Sequence, residues 1–514
     1  MAEISAASAR KEPEINSSSQ VPADEIGDGI SFAELILPWE SWHSYFVAGQ
    51  RIGHIHVQSE IDEEGGSNNV LTTVVDQLIM RRGPSTLKQT LIQTCIEARD
   101  GSLVSFNADL RVGPARTRFV GRTNIDSLAV ETVRGTTRQS EKMPWSPQYR
   151  GLAAIQQSLL AKPIKLSETR RIKMLVPMFY RMGTVELNCR NRATISTLDG
   201  VVHDALEVDV RMVIGAADSI ESTIWVDEQG ELLKSYTSSI DLISIRTTKE
   251  DAENAVANPT NDLLALTSIA VTGKLEKPLE TYRAGYVLKP RSVEGKEKGG
   301  ISIEPQIGQW FRKLDDGSIQ VVVSRNPTEA GREGFTGLVS KPEVKDSESG
   351  PIIDSAAPNV KKLASLSKAK ETKDLAIDLT RTVKQLIGSG DFTRGFATAS
   401  QTARDGVGDC TERAVLLAAM LRSRNIPARV AAGLVYTETK EKPIMAYHMW
   451  TLAWIDTHWV ALDPTSGTLA PADRIAFATS NLADGNEFAF VAPILSAMGR
   501  MEIQIATSKY QVLE

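Results

Sequence analysis

Three side chains that together can do nucleophilic chemistry lie near the carboxyl end of this 514-residue chain. Cys410 stands where an alanine-rich helix is predicted to begin, and His448 and Asp463 stand on two consecutive predicted strands. A thiol becomes a strong nucleophile when an imidazole takes its proton, and a carboxylate holds that imidazole in the required tautomer. These residue types therefore indicate a cysteine site that attacks a carbonyl carbon. The alternative for Cys410 alone is a small buried core residue.

The helix predicted to carry Cys410 has clear start and stop signals. Asp409 is a suitable N-cap, and Glu412 three residues later completes a capping box, which places Cys410 at the first helical position. The backbone N–H groups and the positive end of the helix dipole favour a thiolate there. Apolar residues nearly all round the helix, as far as Leu421, predict that it is buried, and Asn425 suits a left-handed C-cap.

The two strands that follow can be registered against each other. A hairpin turn of two or four residues pairs Trp454 with Trp459 and places His448 diagonal to Asp463 on one face. A turn of three residues would place the two side chains on opposite faces. The symmetric tryptophans favour the first register. His458 is a rival base, but its position at the hairpin tip predicts a solvated loop residue.

Smaller assignments surround these three residues. The backbone N–H of Cys410 is predicted to bind the oxyanion that forms on attack. Gly408 lets the incoming loop pass close to the sulfur, and Gly408 and Trp450 are predicted to contact the substrate. Trp450 is equally well interpreted as a core residue, and the sequence does not separate these two roles.

The remaining cysteines and the paired histidines are given structural interpretations. Cys95 and Cys189 fall in strand-like runs and are predicted to be core residues, since three scattered cysteines suit neither a disulfide framework nor a zinc site. His54 and His56, with His43 nearby, lack a carboxylate or cysteine partner at ligand spacing, and surface histidines are expected. No metal and no cofactor are predicted.

Most of the chain before residue 250 alternates between apolar and polar residues, which is typical of half-buried antiparallel strands. The predicted class is α+β, with one large and one small antiparallel β-rich domain preceding a core in which the cysteine helix packs on an antiparallel sheet. A helix is predicted over 359–387. The expected divisions are a disordered leader 1–27, a large β-rich domain 28–246, a linker 247–262, a small β-rich domain 263–326, a linker or long loop 327–358, and a cysteine-enzyme domain 359–514.

The overall composition narrows the function classes. The hydrophobic content of 41% and charged content of 24% are those of a soluble globular protein. The net charge of −6 argues against a nucleic-acid partner, and no apolar run is long enough for a membrane helix. The amino terminus as written lacks the pattern of a signal peptide, which predicts a cytoplasmic protein; a mis-assigned or trimmed start would leave an extracytoplasmic location open. The oligomeric state is not predicted.

Three blocks of the sequence carry a family resemblance: GDCTERAVLLAAMLRSRNIPARVAAG, YHMW and WVALDPT. They resemble the transglutaminase-like superfamily of papain-like cysteine enzymes over roughly residues 360–480. The resemblance implies a catalytic triad of Cys410, His448 and Asp463, with Gln401 as a candidate side-chain donor to the oxyanion. It implies calcium only for the animal-type cross-linking members, and no Asp/Asn-rich loop with ligand spacing occurs in this sequence.

The leading functional hypothesis is a multidomain, bacterial-type cysteine enzyme that attacks an amide bond and forms a thioester. Hydrolysis of a protein, peptide or cell-wall peptide substrate is preferred, because no sequence feature marks a site for an amine acceptor. Protein cross-linking by a glutamine transglutaminase reaction is one alternative. A catalytically inactive binding or scaffold protein is another, since about three-quarters of the chain lies outside the family resemblance.

Overall fold

The computed structural model describes most of the chain in separate ranges: 35–47, 49–63, 68–82, 85–113, 115–134, 137–214, 219–254, 268–291, 303, 306–325, 334–338, 340–389, 397–439, 442–483, 490, 494 and 501–510. The predicted leader 1–27 and the second half of the predicted linker 247–262 lie outside the described residues. The described chain is mostly β, so the α+β class describes it only loosely.

The first part of the chain forms one fourteen-stranded antiparallel sheet, as the alternating pattern predicts. Its strands are β1 (Trp39–Val47), β2 (Gln50–Asp62), β3 (Asn69–Arg82), β4 (Ser85–Glu97), β5 (Leu103–Val112), β6 (Ala115–Thr123), β7 (Ser127–Arg134), β8 (Thr137–Pro144), β9 (Thr169–Val176), β10 (Arg181–Ser196), β11 (Val202–Ile214), β12 (Ser219–Val226), β13 (Leu232–Thr237) and β14 (Leu242–Thr247). The spatial order runs from β8 back to β1 and then from β14 back to β9.

This sheet curls until strands near its two ends approach each other. Nη1 of Arg181 on β10 lies 2.7 Å from Oε2 of Glu141 on β8. The ring of Tyr180 lies 5.4 Å from that of Phe106 and 4.3 Å from that of Phe119. Aromatic contacts of this kind bury large apolar area. One apolar cluster therefore joins β5 and β6 to the turn between β9 and β10.

A short helix, α1 (Ala154–Ala161), is tied to the same sheet by buried polar groups. Nε2 of Gln157 donates to Oε2 of Glu97 at 2.6 Å and to Oγ1 of Thr72 at 2.9 Å. Oε1 of Glu97 accepts from the backbone N–H of Gly151 at 2.9 Å. Burial raises the pKa of Glu97 to about 7, although these hydrogen bonds act in the opposite direction. A second short helix, α2 (Lys249–Glu253), follows β14.

The second sheet has eleven strands and draws on both the middle and the end of the chain. Its strands are β15 (Ile269–Thr272), β16 (Thr281–Pro290), β17 (Gln309–Lys313), β18 (Ile319–Ser324), β19 (Thr336–Gly337), β22 (Ala428–Glu438), β23 (Pro443–Ile455), β24 (His458–Asp463), β25 (Thr468–Leu469), β26 (Arg474–Ser480) and β27 (Met501–Tyr510). A separate pair of two-residue strands, β20 (Gly388–Ser389) and β21 (Val407–Gly408), precedes the cysteine helix.

The small β-rich domain expected at 263–326 does not have a sheet of its own. β15 pairs antiparallel with β23 and parallel with β27, while β16 pairs antiparallel with β27. These strands therefore extend the sheet of the carboxyl-terminal segment. Short-range alternation shows that strands exist but not which distant strand each one pairs with, which is why the sequence suggested an independent unit.

The described ranges place α3 (Pro358–Ala364), α4 (Thr372–Leu386), α5 (Ala399–Asp405) and α6 (Cys410–Ser423) in the core of this second sheet, where α6 lies against β22 and β23 and the other three contact α6. The single helix expected over 359–387 is divided into α3 and α4. Oγ of Ser367 accepts from the backbone N–H of Ala369 at 3.3 Å and donates to Asp378 at 3.0 Å. Such local side-chain bonds compete with helical hydrogen bonding and interrupt the helix.

α6 is the central element of the second core, as its apolar character predicts. Every residue from Thr411 to Arg422 is buried, and Asn425 adopts the left-handed conformation at φ 59°. The guanidinium of Arg422 is satisfied at the helix end because it donates to the backbone oxygens of Ala428 and Glu348 at 2.8–3.0 Å. Within the described ranges, no helix has the length and apolar character needed to span a bilayer.

Candidate active site

Cys410 is the first residue of α6, as the capping signals predict. Oδ1 of Asp409 accepts from the backbone N–H of Thr411 at 2.8 Å, and Oε2 of Glu412 accepts from the backbone N–H of Asp409 at 2.9 Å. Both halves of the capping box are therefore present. Burial raises the pKa of Glu412 well above its usual range, and the charge of Asp409 raises it further. Glu412 is thus held toward its neutral form beside Asp409.

Exposure separates the three cysteines. Cys95 is 2% exposed and Cys189 is fully buried, as expected of core residues, whereas Cys410 is partly exposed. Burial raises the pKa of both the Cys95 and the Cys189 thiols, which disfavours their thiolates. Of the three thiols, only that of Cys410 combines solvent access with a helix N-terminus.

Gly408 is required by close packing of the chain before the helix. A Cβ atom at this position would lie 2.6 Å from Cβ of Glu412, a distance that real side chains do not tolerate. The nearby Gly406 has φ 68°, in the left-handed region where glycine is favoured. These two glycines bring the loop against the start of α6. Substrate contact by Gly408 stays a prediction, since this packing accounts for the glycine by itself.

The hairpin β23–β24 has the register that the tryptophans predict. Trp454 pairs with Trp459 across a turn of Asp456 and Thr457, whose φ values of 47° and 70° are those of a two-residue hairpin turn. His448 and Asp463 consequently share a face.

Nε2 of His448 lies 3.0 Å from Oδ2 of Asp463. Both side chains are nearly buried, with residue exposures of 8% and 3%. Because Nε2 is engaged with the carboxylate, Nδ1 is the ring nitrogen left to face the thiol.

Among the described strands, β23 is unpaired on one edge around His448. On one edge β23 pairs with β15 through Ile444 and Met445, and with β24 only from Thr451 onward. No strand of the described part of the chain pairs with 446–450 on that edge. His448 lies in this unpaired stretch, and Cys410 at the start of α6 is close enough for its hydrogen bond and charge to affect the pKa of the imidazole.

Opposite charges dominate the protonation of the pair. Burial would lower the pKa of His448, but the charge of Asp463, its hydrogen bond, and the hydrogen bond and charge of Cys410 raise it to about 10. Burial would raise the pKa of Asp463, but the positive charges of His448 and Arg474 hold it below its usual range. The pair therefore favours a protonated imidazole beside an ionised carboxylate.

Arg474, at the start of β26, is a member of the site that sequence reasoning missed. Its Nη1 donates to Oδ2 of Asp463 at 2.9 Å, and its Nε donates to Oδ1 of Asp473 at 3.0 Å. The backbone N–H of Thr465 donates to the remaining oxygen, Oδ1 of Asp463, at 2.8 Å. The only sequence signal was an acidic–basic pair at the start of an otherwise apolar strand.

Trp450 lies behind the site. It is 3% exposed and belongs to an apolar cluster with Trp459. Its ring stacks with the imidazole of His448 at 6.3 Å, and the guanidinium carbon of Arg474 lies 5.3 Å from its centroid. Burial this complete favours the core role over the substrate contact predicted for Trp450.

The two remaining candidates are occupied by local hydrogen bonds. Gln401 lies on α5, where its Oε1 accepts from the backbone N–H of Thr398 at 2.9 Å as part of a capping box. Only its Nε2 donors are left for an oxyanion, and that role stays a prediction. His458 is half-buried at the hairpin tip, and its Nδ1 lies 2.9 Å from the backbone oxygen of Asp456.

The histidines of the first sheet differ partly from expectation. His56 stacks on Trp42 at 3.9 Å and contacts Glu40 at 3.1 Å. His43 is only 2% exposed, so the expectation of a surface histidine is wrong there, and burial lowers its pKa to about 3. The described residues contain no group of three metal-ligating side chains.

Comparison with known proteins finds a family match for the segment that contains Cys410, His448 and Asp463. Residues 363–464 match the family model of the transglutaminase-like superfamily. No curated protein matches the sequence.

Two solved structures show distant similarity. One, from Brucella abortus, is a protein of a domain of unknown function, with 7% identity, a TM-score of 0.34, and coverage of 42% of this chain and 97% of its own. The other, from Cytophaga hutchinsonii, is provisionally described as a cysteine protease, with 13% identity, a TM-score of 0.26, and coverage of 48% of this chain and 90% of its own. TM-scores this low do not establish a shared fold.

Proposed function

We propose that this chain, which carries a transglutaminase-like segment at residues 363–464, is a cysteine hydrolase that cleaves an amide bond through a thioester. One observation carries the proposal. Cys410 is a partly exposed residue that begins a capped helix, while the buried His448–Asp463 pair, joined at 3.0 Å, lies on the sheet that packs against that helix. A nucleophile, a base and a group that orients the base are thus available together.

The first step activates the thiol. The Nε2–H group of His448 donates to Asp463, so Nδ1 is the nitrogen that takes the proton of Cys410. The resulting imidazolium is stabilised by the carboxylate beside it, which agrees with the raised pKa of His448. The thiolate is stabilised in turn by the backbone N–H groups at the start of α6.

The second step transfers the acyl group. The sulfur of Cys410 attacks the carbonyl carbon, and the negative oxygen that forms is bound by the backbone N–H of Cys410. When the C–N bond breaks, His448 gives its proton to the leaving amine and a thioester remains. Water then loses a proton to His448 and attacks the thioester. This releases a carboxylic acid, and the proton returns to the sulfur.

Protein, peptide or cell-wall peptide amides are the proposed substrates. If a primary amine replaces water in the last step, the same thioester gives a new amide and the reaction becomes cross-linking. Hydrolysis is proposed because the sequence has no feature that marks an amine-acceptor site. The test below separates the two outcomes.

Thiol labelling tests the site. At neutral pH, iodoacetamide should alkylate Cys410 of the folded protein in preference to Cys95 and Cys189, with each site measured by mass spectrometry. His448→Ala should slow alkylation of Cys410, whereas the matched change His458→Ala at the hairpin tip should not. Equal alkylation rates in the wild-type protein and His448→Ala would refute the proposed activation.

Product analysis tests the reaction. The protein is incubated with a peptide mixture and a cell-wall peptide digest, with and without a fluorescent primary amine. New amine and carboxyl ends that are absent with Cys410→Ala support hydrolysis, whereas incorporation of the fluorescent amine without new ends supports cross-linking. If neither product forms and Cys410 is not selectively alkylated, the scaffold alternative replaces the proposal.

A further inference from the structure

We propose that Arg474 is a positioning residue of this site: its guanidinium holds the carboxylate of Asp463 in the orientation that His448 requires. The inference rests on the proposed function, because it assigns a role within that same cysteine site. Arg474 lies outside the matched segment 363–464, and it acts through Asp463 rather than on the substrate.

The first argument is the shared oxygen. Oδ2 of Asp463 accepts from Nη1 of Arg474 at 2.9 Å and lies 3.0 Å from Nε2 of His448. Oδ1 accepts from the backbone N–H of Thr465 at 2.8 Å. Both oxygens of Asp463 therefore have hydrogen-bond partners in fixed positions. The carboxylate cannot rotate without breaking a charge-assisted hydrogen bond.

The second argument is that Arg474 is itself immobilised. Its side chain is 4% exposed. Nε donates to Oδ1 of Asp473 at 3.0 Å and to the backbone oxygen of Pro471 at 3.1 Å. The guanidinium also lies over Trp450, which stacks with the imidazole of His448. A planar guanidinium held in this way can fix a carboxylate more precisely than a flexible ammonium can.

The third argument is charge balance in a buried site. The thiol of Cys410, the imidazole of His448, and the side chains of Asp463, Arg474 and Asp473 form a series in which cations and anions alternate. Removing the cation at Arg474 would leave the two buried carboxylates with the imidazolium beside Asp463 and the half-buried guanidinium of Arg325 near Asp473. Protonation of a carboxylate or of the thiolate would then become easier, and the thiolate–imidazolium pair would form only at higher pH.

A purely structural ion pair makes a different prediction. In that case Arg474 would contribute to folding, and its loss would lower stability without changing the reactivity of the thiol. Arg429 provides a matched comparison in the same sheet. It is also buried, forms an ion pair with Asp346, and has its guanidinium carbon 4.5 Å from the ring centroid of Trp459.

The experiment measures the rate of Cys410 alkylation by iodoacetamide against pH, with thermal melting to verify folding. Arg474→Met should lower the rate of Cys410 alkylation at mildly acidic to neutral pH by about 10-fold to 100-fold. This is less than the roughly 10⁴-fold loss of activity on disabling a triad carboxylate in serine proteases, because Asp463 itself is kept. The acid limb of the Arg474→Met profile should move to higher pH. Arg474→Lys should keep the acid limb near its wild-type position because it keeps the charge. Arg429→Met should leave the profile unchanged although it lowers the melting temperature.

Overlapping profiles for Arg474→Met and the wild-type protein would overturn the inference. If Arg474→Met does not fold, the double variant with Asp473→Asn removes the buried cation together with its counter-anion. It should show a smaller shift in the same direction, because Asp463 still loses its partner although one carboxylate charge is gone. An unshifted profile of the double variant would also overturn the inference. Failure of the proposed function looks different. In that case the wild-type profile already matches that of His448→Ala, whatever the Arg474 variants do.

Discussion

Replacing Asp463 with asparagine removes a negative charge from between two buried cations while keeping the shape of the side chain. Two unit charges about 4 Å apart interact by roughly 4 kcal/mol at an effective dielectric constant of about 20, which corresponds to about 3 pKa units. The pKa of His448, raised to about 10 in the wild-type protein, should therefore fall to the neutral range or below, since burial and Arg474 both disfavour the imidazolium.

The substitution should also disturb the hydrogen bonds that orient the imidazole of His448. Oδ2 of Asp463 is shared by Arg474 and Nε2 of His448, and Oδ1 accepts from the backbone N–H of Thr465. Asparagine has one oxygen and one N–H₂ group at these two positions, so its N–H₂ group must face a donor on one side. At the Oδ1 position it meets the N–H of Thr465. At the Oδ2 position it meets Arg474, and Nε2 of His448 must become an acceptor, which leaves the proton on Nδ1 and prevents that nitrogen from taking the proton of the thiol. In serine proteases the same change lowers kcat by about 10⁴-fold.

The assay is the rate of Cys410 alkylation between about pH 4 and pH 10, a range that covers the ordinary pKa values of a carboxyl, an imidazole and a thiol. For Asp463→Asn, we expect the reactivity at mildly acidic to neutral pH to disappear and the profile to become that of an isolated thiol. Asp456→Asn, at the exposed hairpin tip, is the matched control and should behave as wild type. An Asp463→Asn profile that retains the acid-side reactivity would refute the reasoning.

Three further predictions concern packing and stability. Gly408→Ala should destabilise the protein by about 1–3 kcal/mol through overpacking and slow Cys410 alkylation. The control is Gly388→Ala, whose added Cβ meets no atom closer than 3.6 Å. It should change neither the melting temperature nor the rate of Cys410 alkylation. Because the pKa of Glu97 is raised to about 7, the folded state loses stability as pH rises from the ordinary carboxyl pKa to that value. Glu97→Gln should therefore be more stable than wild type by up to roughly 3 kcal/mol above that range, and equal unfolding curves at mildly alkaline pH would contradict this. Arg429→Met should destabilise the protein by up to about 3–5 kcal/mol, because it removes the ion-pair partner of the buried Asp346. The measurement is the midpoint of urea unfolding. If replacing Asp346 as well with an apolar residue restores this midpoint, the loss is due to the buried carboxylate.

Local rules predicted much of the backbone geometry around the candidate site. The capping box around Asp409 placed Cys410 at the helix start, and the tryptophan pair predicted the register that brings His448 to Asp463. Each of these depends on residues a few positions apart, where backbone hydrogen bonding and strand parity leave few choices. The alternation of the first part of the chain likewise predicted a large antiparallel sheet.

Pairings between distant segments were not predictable in this way. The alternating pattern of residues 263–326 suggested a separate domain, whereas β15 and β16 pair with β23 and β27. Arg474 reaches Asp463 because β26 pairs with β22, which in turn pairs with β23. A pattern along one strand says which face is buried but not which strand lies beside it.

The sequence by itself determined which residues can do chemistry and how the helix start and the hairpin present them, because those features follow from short-range hydrogen bonding. Only the tertiary structure decided that Arg474 shares the carboxylate of Asp463, that Trp450 is buried behind His448, and that the middle and the end of the chain share one sheet. These outcomes depend on which distant strands form backbone hydrogen bonds with each other and on which charged side chains they bury together. The local pattern of residues does not determine either.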